Sequence, residues 1–405
     1  MKKDYIVREK YLKKIIPFVN KDIIKVISGQ RRVGKSFFIY QLIDYVKENY
    51  PEVQIIYINK ELHEFNDIKT DDDLVEYINK KMKIKKKNFI FIDEIQEIQF
   101  FEKAIRNFQA HGNCDIYCTG SNANMLSGDL ATYLSGRYIE IKIYALSYLE
   151  FLTFHSLQNN KTSLFKYIKY GGLPYLKHMP LEDEIVYEYL INIYNTVLLK
   201  DVVKRYAIRN IYFLEQLIHF LGDNIGNLVS AKKISDYLKS QKVKISPNIV
   251  LNYLSYLVSA YLIKQVQRSD IFGKKIFEIG EKYYFEDLGI RNTIVGYLQK
   301  DIGKILENLV FIHLIQDGYT VTIGKMNNKE IDFVCDKKKE RLYIQVAYMI
   351  PDEKTYEREF GNLLTIPDNY KKIVISMDDM IGGSYKGIEH LHVLDFLTKP
   401  VLNNK

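Results

Sequence analysis

Short apolar runs of strand length alternate with stretches of helical periodicity over the first third of the chain. These runs are continuous rather than alternating, as expected for strands that helices cover on both faces. A repeated order of strand and helix predicts an α/β fold with a mostly parallel, doubly wound sheet. The runs lie at 23–28, 55–58, 89–92, 116–119 and 138–141.

Beyond residue 144 the pattern changes to mainly helical spacing, with tyrosine and leucine recurring at helical intervals. Ala231–Ser240 and Pro247–Ala260 predict two short helices, and two strands follow around 268–275. Later a helix precedes several strands, and the charge run at 336–340 predicts a hairpin turn. We therefore predict a core at 1–144, a helical lid or linker at 145–229, a winged-helix-like region at 230–299 and an α+β domain at 300–405.

The composition is that of an ordinary globular protein of 405 residues, with 47% hydrophobic and 27% charged residues. No apolar stretch approaches the roughly 18 residues of a membrane span, so no membrane partner is expected. The start of the chain lacks a signal-peptide core, and Cys114, Cys118 and Cys335 form no paired framework. These features favour the cytoplasm, while the net charge of +8 permits a polyanionic partner.

The segment after the first predicted strand carries a phosphate-binding pattern. Residues 29–36 match G-x-x-x-x-G-K-[ST], and residues 37–46 have helical apolar spacing. In such a P-loop the backbone N–H groups surround the β-phosphate, the lysine reaches the β- and γ-oxygens, and the serine hydroxyl ligates Mg²⁺. The predicted NTP contacts are Gly29, Gln30, Arg31, Arg32, Val33, Gly34, Lys35, Ser36 and Phe37.

The third apolar run ends in two carboxylates, Asp93 and Glu94. A carboxylate at this place orients Mg²⁺ through its water, and the adjacent one is suited to act as general base on the attacking water. We assign Asp93 to the metal and Glu94 to the water; the alternative is an exposed acidic pair. The next run ends in Thr119-Gly120-Ser121-Asn122, whose polar groups could bond the γ-phosphate or the water, although helix capping by Ser121 or Asn122 competes with that role.

These segments resemble the AAA-type prokaryotic ATPases that carry a DUF4143 C-terminal region. The resemblance also includes 135–138, 171–174 and 201–205. It implies an AAA+/STAND-type ATPase core followed by helical and winged-helix regions, with Gly172 and Pro174 contacting adenine. Arg8 and the residues up to Tyr11 would then cover the base from the other side. Arg137 is a candidate arginine finger or sensor, with a surface salt bridge as the alternative.

A winged-helix unit can place its second helix in a DNA major groove and its hairpin on the backbone. The exposed positions of that predicted helix offer Asn248, Asn252 and Ser255, with no arginine. Base readout is therefore weakly supported. The resemblance also permits a role as a lid or coupling element.

The last part of the chain resembles the layout of PD-(D/E)xK nucleases, with Glu307 on a helix and Asp332 on a strand. The second acidic ligand is replaced by Gln345 and the lysine by Ala347. An amide brings no charge to a metal, and alanine cannot activate a water. We expect a degenerate, non-cutting site unless Lys354 or Arg358 replaces the lysine.

The sequence thus predicts a cytoplasmic, Mg²⁺-dependent ATPase, a P-loop NTP hydrolase whose nucleotide state sets the arrangement of the winged-helix and nuclease-like regions. One alternative is a slow-hydrolysing ATP-binding switch or a DNA-binding regulator, with nonspecific DNA or a protein as partner. Another is an ATP-regulated DNA nuclease. Glu94 favours hydrolysis, whereas Gln345 and Ala347 oppose cleavage.

Overall fold

The computed structural model of the protein describes residues 5–123, 136–240, 243, 245–271, 280–326, 329–379 and 383–400. The chain forms two units, which are described separately. The first comprises residues 1–144 and 259–261, and the second comprises residues 145–258 and 262–405. The three regions predicted after residue 144 fall almost entirely in the second unit, and this finer subdivision stays a prediction.

A parallel sheet forms the centre of the first unit. Among the described residues it has five strands in the order β2-β3-β4-β1-β5, and every neighbouring pair is parallel. The strands β1, β3 and β4 are buried along their whole length, which explains their continuous apolar sequences. The predicted parallel α/β sheet is confirmed. The strands are β1 Ile24–Ser28, β2 Gln54–Asn59, β3 Asn88–Asp93, β4 Cys114–Gly120 and β5 Tyr138–Lys142.

Four helices described in this unit accompany the sheet. Thr70 and Asp73 form a reciprocal capping box that starts the third helix. The fourth helix buries Ile105 and Phe108 in the core on one face of the sheet. The helices are α1 Glu9–Ile15, α2 Lys35–Asn49, α3 Asp71–Lys81 and α4 Phe101–Ala110.

One ion pair lies inside the sheet. The Lys25 ammonium on β1 contacts the Asp115 carboxylate on β4, and both side chains are completely buried. Burial lowers the pKa of Lys25 and raises the pKa of Asp115, while each charge partly offsets the effect on the other. Tyr117 and the backbone N–H of Asn20 donate further hydrogen bonds to Asp115, at 2.8 and 2.7 Å. The pair is thus well satisfied, and it lies away from the phosphate-binding loop because Lys25 is near the start of β1.

The second unit is helical in its first half and mixed in its second. A π-helical segment, Val197–Lys204, follows the third helix of this unit directly. The described helices are α5 Tyr148–His155, α6 Lys161–Tyr170, α7 Asp183–Thr196, α8 Ile211–Asp223, α9 Ala231–Ser240, α10 Pro247–Ser259, α11 Leu288–Val295, α12 Ile302–Gln316, α13 Glu353–Leu364 and α14 Val393–Thr398.

A mixed sheet, which has eight strands among the described residues, organises the second half of this unit in the order β12-β13-β11-β10-β9-β8-β6-β7. Strand β6 pairs with β7 on one side and with β8 on the other, so a single sheet crosses the predicted boundary between 299 and 300. The strands are β6 Ile263–Asp270, β7 Glu281–Phe285, β8 Thr320–Met326, β9 Lys329–Lys337, β10 Glu340–Val346, β11 Lys371–Ser376, β12 Ser384–Tyr385 and β13 Ile388–His392.

The predicted turn at 336–340 is confirmed. Strands β9 and β10 are antiparallel neighbours joined at this point, and Lys338 has the positive φ of 57° that a tight turn requires. Arg341 binds Asp336 across the hairpin through two hydrogen bonds of 2.7 and 2.9 Å.

Helices α9 and α10 match the two helices predicted at 231–240 and 247–260, whereas strands β6 and β7 begin at Ile263 and Glu281 rather than around 268–275. The winged-helix assignment stays a prediction. The Ser246 hydroxyl accepts the backbone N–H of Ile249 at 3.4 Å, as expected for a residue before Pro247 at a helix start. The basic wing residues Lys274 and Lys275 lie outside the described residues. In the part of the chain that is described, no helix has both the length and the apolarity to cross a membrane.

Candidate functional site

The loop between β1 and α2 has the backbone of a phosphate cradle. Gly29 has a φ of +142°, and a Cβ at this position would lie 2.1 Å from the carbonyl oxygen of Ile143. Gly34 has a φ of 96° directly before the first turn of α2. Only glycine fits the first position, and it is strongly favoured at the second. The loop therefore leads from a buried strand to a helix N-terminus, where unpaired N–H groups favour an anion.

Lys35 is 4% exposed and folds back over the loop. Its ammonium donates to the carbonyl oxygens of Gly29 at 3.0 Å and Gln30 at 3.1 Å. It also lies 3.7 Å from Glu94 Oε1. The lysine is thus held at the mouth of the loop, between the cradle and the candidate general base.

Gln30 adds an unsatisfied polar group to this loop. Its side chain is 1% exposed, and neither amide atom has a hydrogen-bond partner among the described residues. A buried amide without partners is costly. The loop therefore contains a buried hydrogen-bond donor and acceptor that a polar ligand could satisfy.

Arg8 supports the loop from the N-terminal segment. Its buried guanidinium donates to the carbonyl oxygen of Val33 at 3.2 Å and to that of Tyr144 at 2.8 Å. It also lies 4.6 Å from the ring centre of Tyr11. The structure therefore brings Arg8 to the candidate site through the loop backbone; its predicted contact with a base stays a prediction.

Asp93 ends β3 and is fully buried. The Thr119 hydroxyl donates to its Oδ1, while Oδ2 has no hydrogen-bond partner among the described residues. Burial raises the pKa of Asp93, and the nearby hydroxyls of Ser36 and Thr119 lower it in part. A buried carboxylate with one unsatisfied oxygen, near the loop serine, fits the oxygen ligands that Mg²⁺ prefers.

Glu94 follows in a left-handed conformation, with a φ of 54°. Its backbone N–H donates to the Thr119 hydroxyl at 2.9 Å. Its Oε2 accepts hydrogen bonds from the Gln96 amide and, at 3.3 Å, from the Ser121 hydroxyl. Glu94 is therefore a buried carboxylate held in one direction by neighbouring donors. The sequence analysis gave no role to Gln96, although its spacing of two residues from Glu94 was visible.

Strand order explains why these side chains meet. Strand β4 lies between β1 and β3, so the carboxyl ends of all three strands share one edge. Residues after β4 therefore join those after β1 and β3. Ser121 and Asn122 are both buried at this edge. Any helix that they cap would lie beyond Ala123, outside the described residues, and the proposed role of Asn122 stays a prediction.

Arg137 is not part of this edge. It is exposed and lies directly before β5, where its carbonyl oxygen accepts the N–H of Ile24 at the start of β1. Because Ile24 pairs with Tyr138 and Ser28 with Lys142, Arg137 lies at the opposite end of the strands, about 13 Å from the loop at about 3.3 Å per residue. This position does not favour a sensor role toward the loop of the same chain; the arginine-finger or sensor role of Arg137 stays a prediction.

The predicted adenine-contacting segment, which includes Gly172 and Pro174, belongs to the second unit and is fixed there by Asp287. The backbone N–H of Gly172 donates to Asp287 Oδ2 at 2.8 Å. Gly171 has a φ of +76°, and a Cβ there would lie 2.4 Å from Asp287 Oδ1. Asp287 also caps α11 by accepting the N–H of Ile290. The structure therefore explains the two glycines by close packing, while contact with adenine stays a prediction.

The predicted nuclease-like residues Glu307, Asp332 and Gln345 lie close together in the second unit. The Gln345 amide oxygen accepts the backbone N–H of Asp332 at 3.2 Å, and the charge of Glu307 helps to raise the pKa of Asp332. Lys354 is exposed on α13 and Arg358 binds Glu359, so neither has the place considered for a substitute lysine. Lys282, which the sequence analysis missed, lies among the acidic side chains instead.

Comparison with known proteins matches residues 21–152 to a family model described as an AAA domain. Residues 161–301 match a domain of unknown function, DUF8612. The second match corrects the expected DUF4143 region, because a different domain family accounts for most of the chain between the AAA domain and residue 301.

An uncharacterized protein of Haemophilus influenzae is 40% identical over 405 residues, covering 98% of this chain and 100% of the relative. An uncharacterized protein of Methanocaldococcus jannaschii is 34% identical, covering 90% of this chain and 84% of the relative. The Aeropyrum pernix ORC1 protein, solved in complex with DNA, is 11% identical with a TM-score of 0.34, covering 72% of this chain and 92% of that chain. A score this low gives no basis for comparing functions.

Proposed function

We propose that this chain, which belongs to one family with the Haemophilus influenzae relative and matches an AAA domain over residues 21–152, binds ATP with Mg²⁺ and hydrolyses it. The observation that carries the proposal is the convergence of three side chains at one sheet edge. Lys35 lies at the mouth of a strained glycine loop, and Glu94 lies 3.7 Å from it. Asp93, the preceding residue, has one unsatisfied buried oxygen.

Each residue has a separate task in this proposal. The loop N–H groups and Lys35 bind the phosphate oxygens, with the lysine exchanging its carbonyl partners for them. Ser36 and, through a water, Asp93 would hold Mg²⁺, which would supply positive charge to the phosphate groups. Glu94 accepts a proton from the attacking water, and Gln96 and Ser121 orient its carboxylate.

We infer that nucleotide state also reaches the end of helix α10. The backbone N–H of Ala123 donates to the carbonyl oxygen of Ser259 at 2.9 Å, and Ala123 directly follows the polar segment 119–122. The ammonium of Lys142 lies 4.4 Å from the ring centre of Tyr261. Residues 259–261 belong to the first unit although the helix before them belongs to the second. A shift of segment 119–122 on phosphate loss would therefore act on the chain where it leaves α10.

Two substitutions separate binding from chemistry. Lys35→Ala removes a contact to the ground-state phosphates, so tight ATP binding should be lost. Glu94→Gln keeps the side-chain shape and removes the base, so binding should remain while turnover falls by at least the 10²-fold typical of a lost general base. Binding is measured by isothermal calorimetry with Mg²⁺-ATP, and turnover by phosphate release.

The controls are Lys47→Ala in the last turn of α2 and Glu97→Gln, whose side chain is exposed. Both should behave as the unmodified protein does. Equal loss of binding in Lys35→Ala and Glu94→Gln would contradict the assignment of Glu94 as base. Tight binding without turnover in the unmodified protein would instead favour the ATP-binding switch.

A further inference from the structure

A buried lysine lies at the centre of the acidic cluster in the second unit. Lys282 on β7 is 2% exposed. Its ammonium lies 2.9 Å from Glu307 Oε1 on α12, 2.9 Å from Glu330 Oε1 on β9 and 3.7 Å from Asp332 Oδ1 on β9. Carboxylates from a helix and a strand, both distant in sequence from Lys282, thus converge on one ammonium group.

The acidic cluster also forms hydrogen bonds with other groups of the protein. The Tyr284 hydroxyl donates to Glu307 Oε1 at 2.5 Å. The backbone N–H of Val346 donates to Asp332 Oδ2 at 2.9 Å. The Gln345 amide oxygen, the remaining ligand of a nuclease-like arrangement, accepts the N–H of Asp332. These bonds occupy part of the oxygen lone pairs that an external cation would otherwise use.

The chain also closes the cluster on the side of Glu307. A Cβ at Gly226 would lie 2.8 Å from Glu307 Oε2, and this glycine has a φ of +75°. Three residues later Val229 forms a bridge with Glu281, the neighbour of Lys282. The backbone at Gly226 therefore packs against the Glu307 carboxylate and leaves little room for a ligand on that side.

Two arginines pair with glutamates at the edge of this cluster. Arg268 lies 3.7 Å from Glu330 Oε2, and Arg358 binds Glu359 at 2.6 Å. Lys282 is the cation that faces Glu307 and Asp332 among the described residues. Removing it would leave Glu307 and the neighbouring acidic side chain of Asp332 buried without an opposite charge, which is unfavourable unless another cation replaces it.

We propose that Lys282 is the resident cation of this carboxylate site, occupying the position that a divalent metal would take in a nuclease of similar layout and excluding both metal and phosphodiester. The residues do not fit a metal-dependent nuclease, because the ammonium already satisfies the acidic ligands. The lysine instead links β7 to β9 and α12. It therefore joins the hairpin after α10 to the C-terminal half of the sheet as one rigid body.

The test is whether removal of the lysine creates a metal site. Binding of Mn²⁺ alone, without nucleotide, is measured by electron paramagnetic resonance on the full chain, together with the melting temperature across a Mn²⁺ titration. The unmodified protein should show no Mn²⁺ binding that depends on Asp332. Lys282→Ala should melt at a lower temperature and gain one saturable Mn²⁺ site that restores part of the loss.

Two controls make the gain specific. Adding Asp332→Asn to Lys282→Ala should abolish the new site, while Lys304→Ala, which removes a partly exposed lysine from the same helix as Glu307, should create none. If Lys282→Ala does not fold, Lys282→Gln combined with Glu330→Gln removes one charge of each sign and keeps Glu307 and Asp332 for the same measurement.

Two results would overturn the proposal. One is Mn²⁺ binding to the unmodified protein that Asp332→Asn abolishes, because the lysine would then not exclude metal. The other is a folded Lys282→Ala or double variant that gains no Mn²⁺ site. The unmodified protein decides the first point without any variant, since absence of Asp332-dependent binding is the expected result.

Discussion

Thr119 is the side chain through which β4 contacts both acidic residues of the proposed ATP site, the carboxylate of Asp93 and the backbone of Glu94. Its hydroxyl donates to Asp93 Oδ1 and accepts the backbone N–H of Glu94 at 2.9 Å. The residue is completely buried, so water cannot replace these bonds. Thr119→Val keeps the shape of the side chain and removes both hydrogen bonds, which makes it a sharp perturbation of the site.

The free-energy cost of Thr119→Val follows from the two hydrogen bonds that it removes. A hydrogen bond to a charged group contributes about 1.5–3 kcal/mol and a neutral one about 1 kcal/mol, so the loss should be about 2–4 kcal/mol. Glu94 also loses the bond that supports its left-handed backbone, a conformation that costs about 1 kcal/mol or more. We expect its carboxylate to move, and a displacement of about 1 Å can lower turnover on the order of 10²-fold.

A second effect concerns the metal. Burial already raises the pKa of Asp93, and the Thr119 hydrogen bond is one of the contacts that lower it. Thr119→Val should therefore raise this pKa further and disfavour the charged form that binds Mg²⁺. The Mg²⁺ concentration for half-maximal turnover should increase, and raising the pH should recover part of the loss.

Three measurements check this reasoning: amide hydrogen exchange in β3 and β4, phosphate release, and its dependence on Mg²⁺. The matched control is Thr119→Ser, which keeps the hydroxyl and loses one methyl group, at a cost of about 1 kcal/mol. The serine variant should retain turnover and Mg²⁺ dependence. If valine and serine give the same turnover, the hydroxyl does not position Glu94 and the reasoning is refuted.

The remaining predictions concern the second unit. Burial, followed by the charge of Glu307, raises the pKa of Asp332 to about 8. The native state therefore holds a proton that the unfolded chain loses near pH 4. The free energy of unfolding should fall between about pH 4 and pH 8, by at most about 1.4 kcal/mol per pH unit. Asp332→Asn should flatten this dependence in urea unfolding, and an unchanged slope would contradict the assignment. If DNA binds the region of α9 and α10, affinity should fall steeply with salt and show little sequence preference, since Asn248, Asn252 and Ser255 offer few base-reading groups. A sequence-specific complex with a shallow salt slope in fluorescence anisotropy would refute this.

The strands of the first unit were predictable because burial on both faces leaves a continuous apolar run. The run at 89–92 lies within β3, Asn88–Asp93, and the run at 116–119 lies within β4, Cys114–Gly120. The strand ends differ by one or two residues because polar Asn88 and Asp115 are buried in the sheet and carry no apolar signal. The phosphate-binding loop was predictable for another reason, since all of its residues are contiguous in sequence.

Lys282 could not be assigned from the sequence. It stands in Glu281-Lys282-Tyr283-Tyr284, where a charged pair usually indicates a solvated strand end. Glu307 is separated from it by the whole of α11, and Glu330 and Asp332 by α11, α12 and β8. Only the pairing of β6 with β8, which joins two predicted regions in one sheet, brings the lysine to Glu307 and Glu330. No local pattern encodes that pairing.

Arg137 differs, because the sequence already indicated which end of its strand it occupies. In a parallel sheet the residues after each strand meet at one edge, and the residues before each strand meet at the opposite edge. Thr119–Asn122 end or follow β4 and therefore join Lys35, Asp93 and Glu94. Arg137 precedes β5 and lies beside Ile24 at the start of β1. The charge of Arg137 suits a phosphate, yet its position before the strand places it away from the loop of its own chain. Position relative to a strand therefore outweighs residue type in assigning such a site.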